Sequence, residues 1–286
     1  MGTKLIYAAD ALYRGVLRPT LFTAQPDSAH AATVRALGIL DRFPFLVRPL
    51  RAPSAVAKPV VAGGVSLPGP LMVAAGLVKG HGFESEVSAV EAANRSNIIP
   101  GWRSVPLLCG PVEIGSFTRY PRMGNPPPVL WRDVSTRSTQ NRIGLRNPGA
   151  MAASGFLRDH RPEGMFGLSV ATTPGESDAV LQAEHVSDSV GLFLTRGVRP
   201  DWFTINLSCP NTEDDPQNNQ TSRLARHVCE AAVAAAEGVP VWVKIGPDLS
   251  DNQYQTLAEA FSNAGVRAVI ATNTLAAPVG QTHFTA

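Results

Sequence analysis

The chain is poor in charge, cysteine and histidine, and each scarcity excludes a class of protein. Charged residues make up 17% of the 286 residues and the net charge is only +2, which gives no reason to expect a nucleic-acid partner. The three cysteines, Cys109, Cys209 and Cys229, are far apart and odd in number, so we expect neither a disulfide framework nor a zinc site. The six histidines are scattered without metal-ligand spacing, and we therefore predict no bound metal.

Long apolar runs and targeting signals are also missing. No stretch approaches the roughly 18 apolar residues of a membrane span, and the N-terminus lacks the order of a signal peptide. What is present is a hydrophobic fraction of 44%, enough for one large α/β domain or two smaller ones. The cysteine usage favours a reducing compartment.

Residues 1–50 differ from the rest and are predicted to form a two-helix extension ahead of a main domain at 51–286. Apolar residues at helical spacing run through the first helix, which Pro19 should end. Asp27 is expected to cap the second helix. Two interpretations stay open: a helical cap packed on the domain, or a peripheral membrane foot with an entrance for a lipid-like ligand. A local excess of basic residues favours the second slightly.

From about residue 70 the sequence alternates apolar strand-like runs with helical stretches. The predicted strands are 71–75, 112–116, 166–171, 202–207, 241–245 and 266–272. The predicted helices are 84–94, 148–159, 176–196, 222–237 and one that begins at Ser250, which forms a capping-box pattern with Gln253. Continuous apolar strands between helices indicate a parallel sheet covered by helices. The architecture is then an open doubly wound sheet or a (β/α)8 TIM-type barrel.

Polar residues near the carboxyl ends of successive strands favour the barrel. They are Gly76, Lys79, Ser116, Ser169, Asn206, Cys209, Lys244, Thr272, Asn273 and Thr274. A barrel brings every strand end to one face, whereas an open sheet gathers only those near its switch point.

The octapeptide 205–212, Ile-Asn-Leu-Ser-Cys-Pro-Asn-Thr, has the clearest chemical character. Cys209 lies between two amides, Asn206 and Asn211, in a turn marked by proline. Two carboxamides can hold a flat polar ligand, and a thiol between them can move a proton or attack. The alternative is an ordinary buried cysteine, which the turn context makes the weaker interpretation.

These pieces together resemble the dihydroorotate dehydrogenase family. The matching segments run in order at 73–79, 112–116, 124–126, 141–145, 205–212, 244–249 and 270–274. The phrases at 17–22 and 28–30 resemble the extension of the membrane-associated, quinone-reducing class, in which two helices form a tunnel for the quinone tail. The resemblance implies a (β/α)8 barrel, FMN as cofactor, a dihydroorotate-like substrate and a quinone acceptor.

The resemblance also implies roles for individual residues. Cys209 stands at the position of the base. The residues that match substrate contacts are Lys79, Asn141, Arg142, Ile143, Gly144, Leu145, Asn206, Asn211, Asn273 and Thr274. Those that match flavin contacts are Ala75, Gly76, Lys79, Ser116, Ser169, Asn206, Lys244 and Thr272. Such a protein would be peripheral on the cytoplasmic face of a bacterial membrane or on the inner mitochondrial membrane, or soluble in the cytoplasm if the helices are only a cap.

Three departures keep other functions open. The membrane-associated class usually carries Ser at the base position, whereas this chain has Cys209. Val78, Ser169 and residues 171–173 depart from the family pattern. The segments that match the family account for about six strands. They do not include the two glycine-rich loops that hold the FMN phosphate in the family, so we expect an incomplete barrel with weak or absent FMN binding. The alternatives are a related flavin enzyme acting on another dihydropyrimidine and a truncated, non-catalytic relative.

Overall fold

The computed structural model describes residues 2–50, 58–207, 222–247 and 249–275. Its strands are β1 (Val60–Ala62), β2 (Val65–Leu67), β3 (Val112–Phe117), β4 (Leu130–Asp133), β5 (Ser138–Asn141), β6 (Phe166–Ala171), β7 (Trp202–Asn206), β8 (Val241–Ile245) and β9 (Ala268–Ala271). Its α-helices are α1 (Gly2–Leu12), α2 (Arg18–Thr23), α3 (Pro26–Leu40), α4 (Pro44–Val47), α5 (Glu86–Ala93), α6 (Ser104–Cys109), α7 (Gly149–Asp159), α8 (Ala179–Thr195), α9 (Ser222–Ala235) and α10 (Asp251–Asn263). A π-helical turn, Tyr13–Leu17, joins α1 to α2, and a 3-10 turn, Arg48–Leu50, follows α4.

The central sheet is parallel and follows the chain without a reversal of strand order. Its strands lie in the order β3, β6, β7, β8 and β9, and Val73 adds a parallel bridge to Val112 at the β3 edge. An open doubly wound sheet would reverse direction at a switch point, so this order confirms the predicted (β/α)-barrel architecture. Five of the six predicted strands form; the first, at 71–75, is reduced to the bridge at Val73.

The strands are buried because helices cover the outside of the sheet. Every residue of β3, β6 and β7 is buried, as continuous apolar runs predict for a parallel sheet. The best-marked helix, α10, begins with the predicted capping box of Ser250 and Gln253. Its buried stripe consists of Leu257, Ala260 and Phe261.

A small hairpin covers the amino ends of the strands. Strands β1 and β2 are antiparallel and pack on the stacked rings of Trp202 and Trp242, whose centroids lie 4.8 Å apart. Trp242 Nε1 donates to the carbonyl of Gly63 at 3.2 Å. Gly63 has φ +53°, and an added Cβ would lie 2.3 Å from that ring nitrogen, so this turn requires glycine.

Two predictions about the N-terminal helices were wrong. Pro19 does not end the first helix. The turn before α2 is π-helical, and in it the Arg18 N–H donates to the carbonyl of Tyr13. Pro19 then lies in the first turn of α2. A proline is tolerated there because the N–H group that it lacks would have no partner within the helix. Asp27 does not cap α3, whose N-cap is Gln25. The Asp27 carboxylate instead accepts a hydrogen bond from the N–H of Val129 at 3.1 Å.

The end of α3 is bound into the barrel domain through Asp41, which is 5% exposed. Its carboxylate accepts the main-chain N–H groups of Gly101 at 2.7 Å, Ser104 at 2.8 Å and Arg103 at 3.2 Å, and Asn97 Nδ2 at 2.8 Å. A buried carboxylate with this many donors ties the helix to the segment that precedes β3. Among the residues that the structure describes, no helix has the length and apolar character needed to cross a bilayer.

Candidate active site

The carboxyl ends of the parallel strands surround a cavity of about 440 Å³, a size typical of small-molecule sites. Sequence reasoning named most of the residues on its wall: Ala75, Gly76, Lys79, Ser116, Asn141, Ile143, Gly144, Leu145, Asn206, Lys244, Thr272, Asn273 and Thr274. They come from loops and strand ends far apart in the sequence. The fold brings them together because parallel strands of a barrel all end at the same face.

A chain of hydrogen bonds connects three strands beneath the cavity. Asn206 Nδ2 donates to Ser116 Oγ at 3.0 Å, and Ser116 Oγ lies 2.7 Å from Ser169 Oγ. All three side chains are buried. One layer lower, the Glu113 carboxylate accepts from Trp202 Nε1 at 3.2 Å and from Thr204. Satisfied buried networks hold side chains in one arrangement, so Ser116 and Asn206 reach the cavity in defined positions.

Two lysines give the cavity a positive character. Lys244 is half-buried between the buried Val243 and Ile245 of β8, as its apolar surroundings predicted, and Lys79 follows the Val73 bridge. In the described part of the cavity wall no Asp or Glu accompanies them. The wall otherwise offers amides and hydroxyls, so the site suits a flat, polar ligand that carries negative charge.

Gly76 leaves one side of the cavity open. It has φ +117°, and an added Cβ would meet no atom within 4 Å, while its N–H donates to the carbonyl of Gly115 at 2.8 Å. This backbone conformation is essentially restricted to glycine. The main chain can therefore lie directly against a bound ring at this position.

The antiparallel hairpin of β4 and β5 forms a wall that sequence reasoning missed. Leu130 and Thr139 line the cavity beside Asn141, and Ala74 lines it from the Val73 segment. The run 129–131, Val-Leu-Trp, is followed by polar turn residues at 135–136 and was the available signal for this hairpin. Short strands of this kind are hard to recognise when their partner lies in the same loop.

Some predicted site residues lie elsewhere. Ser169 is fully buried behind Ser116 and is not part of the wall. The Arg142 side chain donates to the carbonyls of Pro126 and Pro128 at 3.3 and 3.1 Å, and lies over the Trp131 ring. The Arg142 side chain therefore stabilises the loop that precedes β4 and does not line the cavity. Cys209 and Asn211 lie outside the described residues.

His30 of α3 belongs to the segment 28–30 that resembles the quinone-class extension, and it lies near Lys79 of the cavity wall. Burial lowers the pKa of its imidazole, and the nearby charges of Lys79 and Arg146 lower it further. The ring is therefore mainly neutral at neutral pH. An N-terminal element thus approaches the same lysine that lines the cavity.

The two cysteines in the described part of the chain have no access to this cavity. Cys229 is fully buried within α9, and burial raises the pKa of its thiol to about 12. Cys109 ends α6 just before the amino end of β3, whereas the cavity lies at the carboxyl ends of the strands. Neither thiol is suited to proton transfer at the cavity.

The fold and the cavity define a (β/α)-barrel protein with a cationic, amide-rich site at the carboxyl ends of its strands. A family model described as dihydroorotate dehydrogenase matches residues 60–282. A dihydroorotate dehydrogenase (quinone) of Clavibacter michiganensis is 32% identical over 268 residues, which cover 92% of this chain and 71% of the relative. The corresponding protein of Salinispora arenicola is 33% identical over 274 residues, with 94% and 74% covered. The chain belongs to the dihydroorotate dehydrogenase family.

Solved structures support the same fold. The Eimeria tenella dihydroorotate dehydrogenase in complex with ferulenol matches with a TM-score of 0.66 at 20% identity. The match covers 90% of this chain and 69% of that structure. At this identity the likeness establishes the barrel fold.

Proposed function

We propose that this chain oxidises dihydroorotate to orotate, with FMN as cofactor and a quinone as electron acceptor. The observation that carries the proposal is a cavity that brings two lysines together with amides and hydroxyls in a barrel of the dihydroorotate dehydrogenase family. The relatives named above are quinone-dependent dihydroorotate dehydrogenases. The net reaction moves two hydrogens from the substrate ring to the quinone.

The residues present fit a flavin ring. Gly76 leaves an open, flat approach to the main chain, Ser116 and Thr272 offer hydroxyls, and Lys244 offers a cation at a strand end. When bound, FMN supplies acceptance of the hydride from C6 of dihydroorotate. Lys244 would stabilise the negative charge that develops on the adjacent edge of the flavin ring.

The substrate side of the cavity fits an anion. Dihydroorotate carries a carboxylate, and Lys79 is the cation expected to bind it. Asn141, Asn206 and Asn273 can donate to and accept from the amide edges of the ring. Dihydrouracil lacks the carboxylate, so Lys79 favours dihydroorotate over an uncharged dihydropyrimidine.

The proposed base is Cys209, three residues after the cavity residue Asn206 in the chain. As a thiolate its sulfur takes the C5 proton, while the C6 hydrogen leaves with two electrons and the C5=C6 double bond forms. A thiol has a reference pKa of about 8.5, far below that of a hydroxyl. Neither of the two cysteines in the described part reaches the cavity, which supports the choice of Cys209 for this role.

Anaerobic reduction of the flavin by dihydroorotate tests both parts of the proposal. We expect bleaching by dihydroorotate but not by dihydrouracil, and Cys209→Ser should move the pH profile of the reduction rate to higher pH. Cys109→Ser, at the far face of the barrel, is the matched control and should keep the wild-type profile. An unchanged profile for Cys209→Ser would exclude Cys209 as the base. A protein that takes up no flavin would support the non-catalytic alternative.

We further propose that the N-terminal residues 1–50 form an extension that contacts a membrane surface, where a lipid-soluble quinone is available. Exposed apolar side chains support this, including Tyr7, Leu12 and Val16 along the first helical segment. Sedimentation with vesicles of mixed neutral and anionic phospholipid tests it. Leu12→Asp should reduce the bound fraction, and equal binding by both proteins would contradict the proposal.

A further inference from the structure

The hairpin of β4 and β5 connects helix α2 with the cavity. In its antiparallel register Leu130 lies opposite Asn141, and Arg132 lies opposite Thr139. Opposed residues, and residues two apart along a strand, share one face of a hairpin. Leu130, Thr139 and Asn141 line the cavity, so Arg132 belongs to the same row of side chains.

The guanidinium of Arg132 extends from this row to the carboxyl end of α2. It donates to the carbonyls of Leu21 at 3.4 Å and Phe22 at 3.0 Å, and also to that of Ala24. These carbonyls lack partners within the helix, and a cation is favoured beside them. The guanidinium also lies over the Phe22 ring, 4.6 Å from its centroid.

A second contact binds the same hairpin to α3. The Asp27 carboxylate accepts the N–H of Val129, the residue just before β4, at 3.1 Å. The corner between α2 and α3, residues 21–27, is thus held at Val129, just before β4, and at Arg132 within β4. Because the opposite strand carries Thr139 and Asn141, displacement of this corner has a direct mechanical route to the cavity wall.

We propose that Arg132 is a positioning residue that couples the α2–α3 corner to the cavity wall formed by Leu130, Thr139 and Asn141. Movement of the N-terminal helices then shifts the polar groups that face the substrate. By thermodynamic reciprocity, a ligand in the cavity stabilises the corner in return. The coupling itself follows from contacts within the chain, whereas its effect on catalysis rests on the proposed function.

Hydrogen exchange of the ligand-free chain tests the coupling independently of any activity. Arg132→Ala should accelerate exchange roughly tenfold in both segments 18–24 and 130–141, because several charge-assisted hydrogen bonds are lost. Exchange in β6, β7 and β8 should stay unchanged.

Arg132→Lys should give a smaller effect, since an ammonium keeps the charge but lacks the fork of donors. Arg14→Ala is the matched control, because that arginine of the π-helical turn forms an exposed pair with Asp10 of α1 and does not contact the hairpin. Faster exchange in 18–24 alone would reduce Arg132 to a helix cap and overturn the proposal.

Addition of orotate to the FMN-loaded chain tests the link to the site. In the wild type, orotate should slow exchange in both segments, whereas in Arg132→Ala it should slow exchange only in 130–141. The KM for dihydroorotate should rise about three- to tenfold in Arg132→Ala while kcat changes less than about twofold. Equal protection of 18–24 in both proteins would overturn the coupling. If orotate protects neither segment in the wild type, the proposed function fails, and the ligand-free comparison still decides the coupling.

Discussion

Replacing Asp41 by alanine should destabilise the whole domain, although Asp41 lies in the N-terminal segment. Its carboxylate accepts the N–H groups of Gly101 and Ser104 at 2.7 and 2.8 Å in a buried environment. A hydrogen bond to a charged group contributes about 1.5–3 kcal/mol, and an unsatisfied buried donor loses that amount. For these two donors together, we expect the free energy of unfolding to fall by about 3–6 kcal/mol in Asp41→Ala.

Urea denaturation followed by tryptophan fluorescence is the appropriate assay, because Trp102 lies between the two donors and is only 8% exposed. Asp41→Asn keeps one acceptor oxygen, so its loss should be about half as large. Asp10→Ala is the control, because its exposed pair with Arg14 should contribute little to stability. A loss in Asp41→Ala no larger than that of Asp10→Ala would refute the reasoning and would mean that α3 is not fastened to the barrel through this carboxylate.

Two further predictions concern the cavity and the hairpin turn. Gly76→Ala and Gly175→Ala should lose similar stability, about 1–3 kcal/mol by urea denaturation, since both glycines have positive φ and open space for a Cβ. Only Gly76→Ala should weaken FMN binding in a flavin titration, because its methyl group projects into the cavity; equal flavin affinity would contradict that placement. Hydrogen bonds from Ser135 and Thr136 lower the pKa of Asp133 to about 2, so its ionised form stabilises the fold above its ordinary pKa of about 4. The stability difference between wild type and Asp133→Asn should therefore be constant near neutral pH and disappear as the pH falls from about 4 towards 2; a difference that persists at the acid end would disprove the pKa assignment.

The polar residues that follow the apolar strands in the sequence predict much of the cavity wall, but not all of it. Residues such as Ser116, Asn206 and Lys244 were predictable because each lies at or near the carboxyl end of an apolar strand, and a barrel collects those ends at one face. Ser169 satisfied the same pattern yet lies behind Ser116. Which of two neighbouring serines faces the cavity depends on the stagger between strands, and a single strand's sequence does not record that stagger.

The sequence by itself determined the class of fold, the five strands of the central sheet, the capping box of α10 and most of the polar residues around the cavity. These depend on periodicity and on local chemistry within a few residues. Only the tertiary structure decided that Asp27 and Asp41 bind the barrel, that Pro19 continues a helix through a π-helical turn, and that Arg132 joins α2 to the cavity wall. The partners of Asp27, Asp41 and Arg132 lie far away in the chain, 60 residues in the case of Asp41 and Gly101. What such a polar side chain contributes to stability depends on the groups that the fold places beside it. Because these groups are distant in the chain, the residues next to the side chain in the sequence do not reveal them.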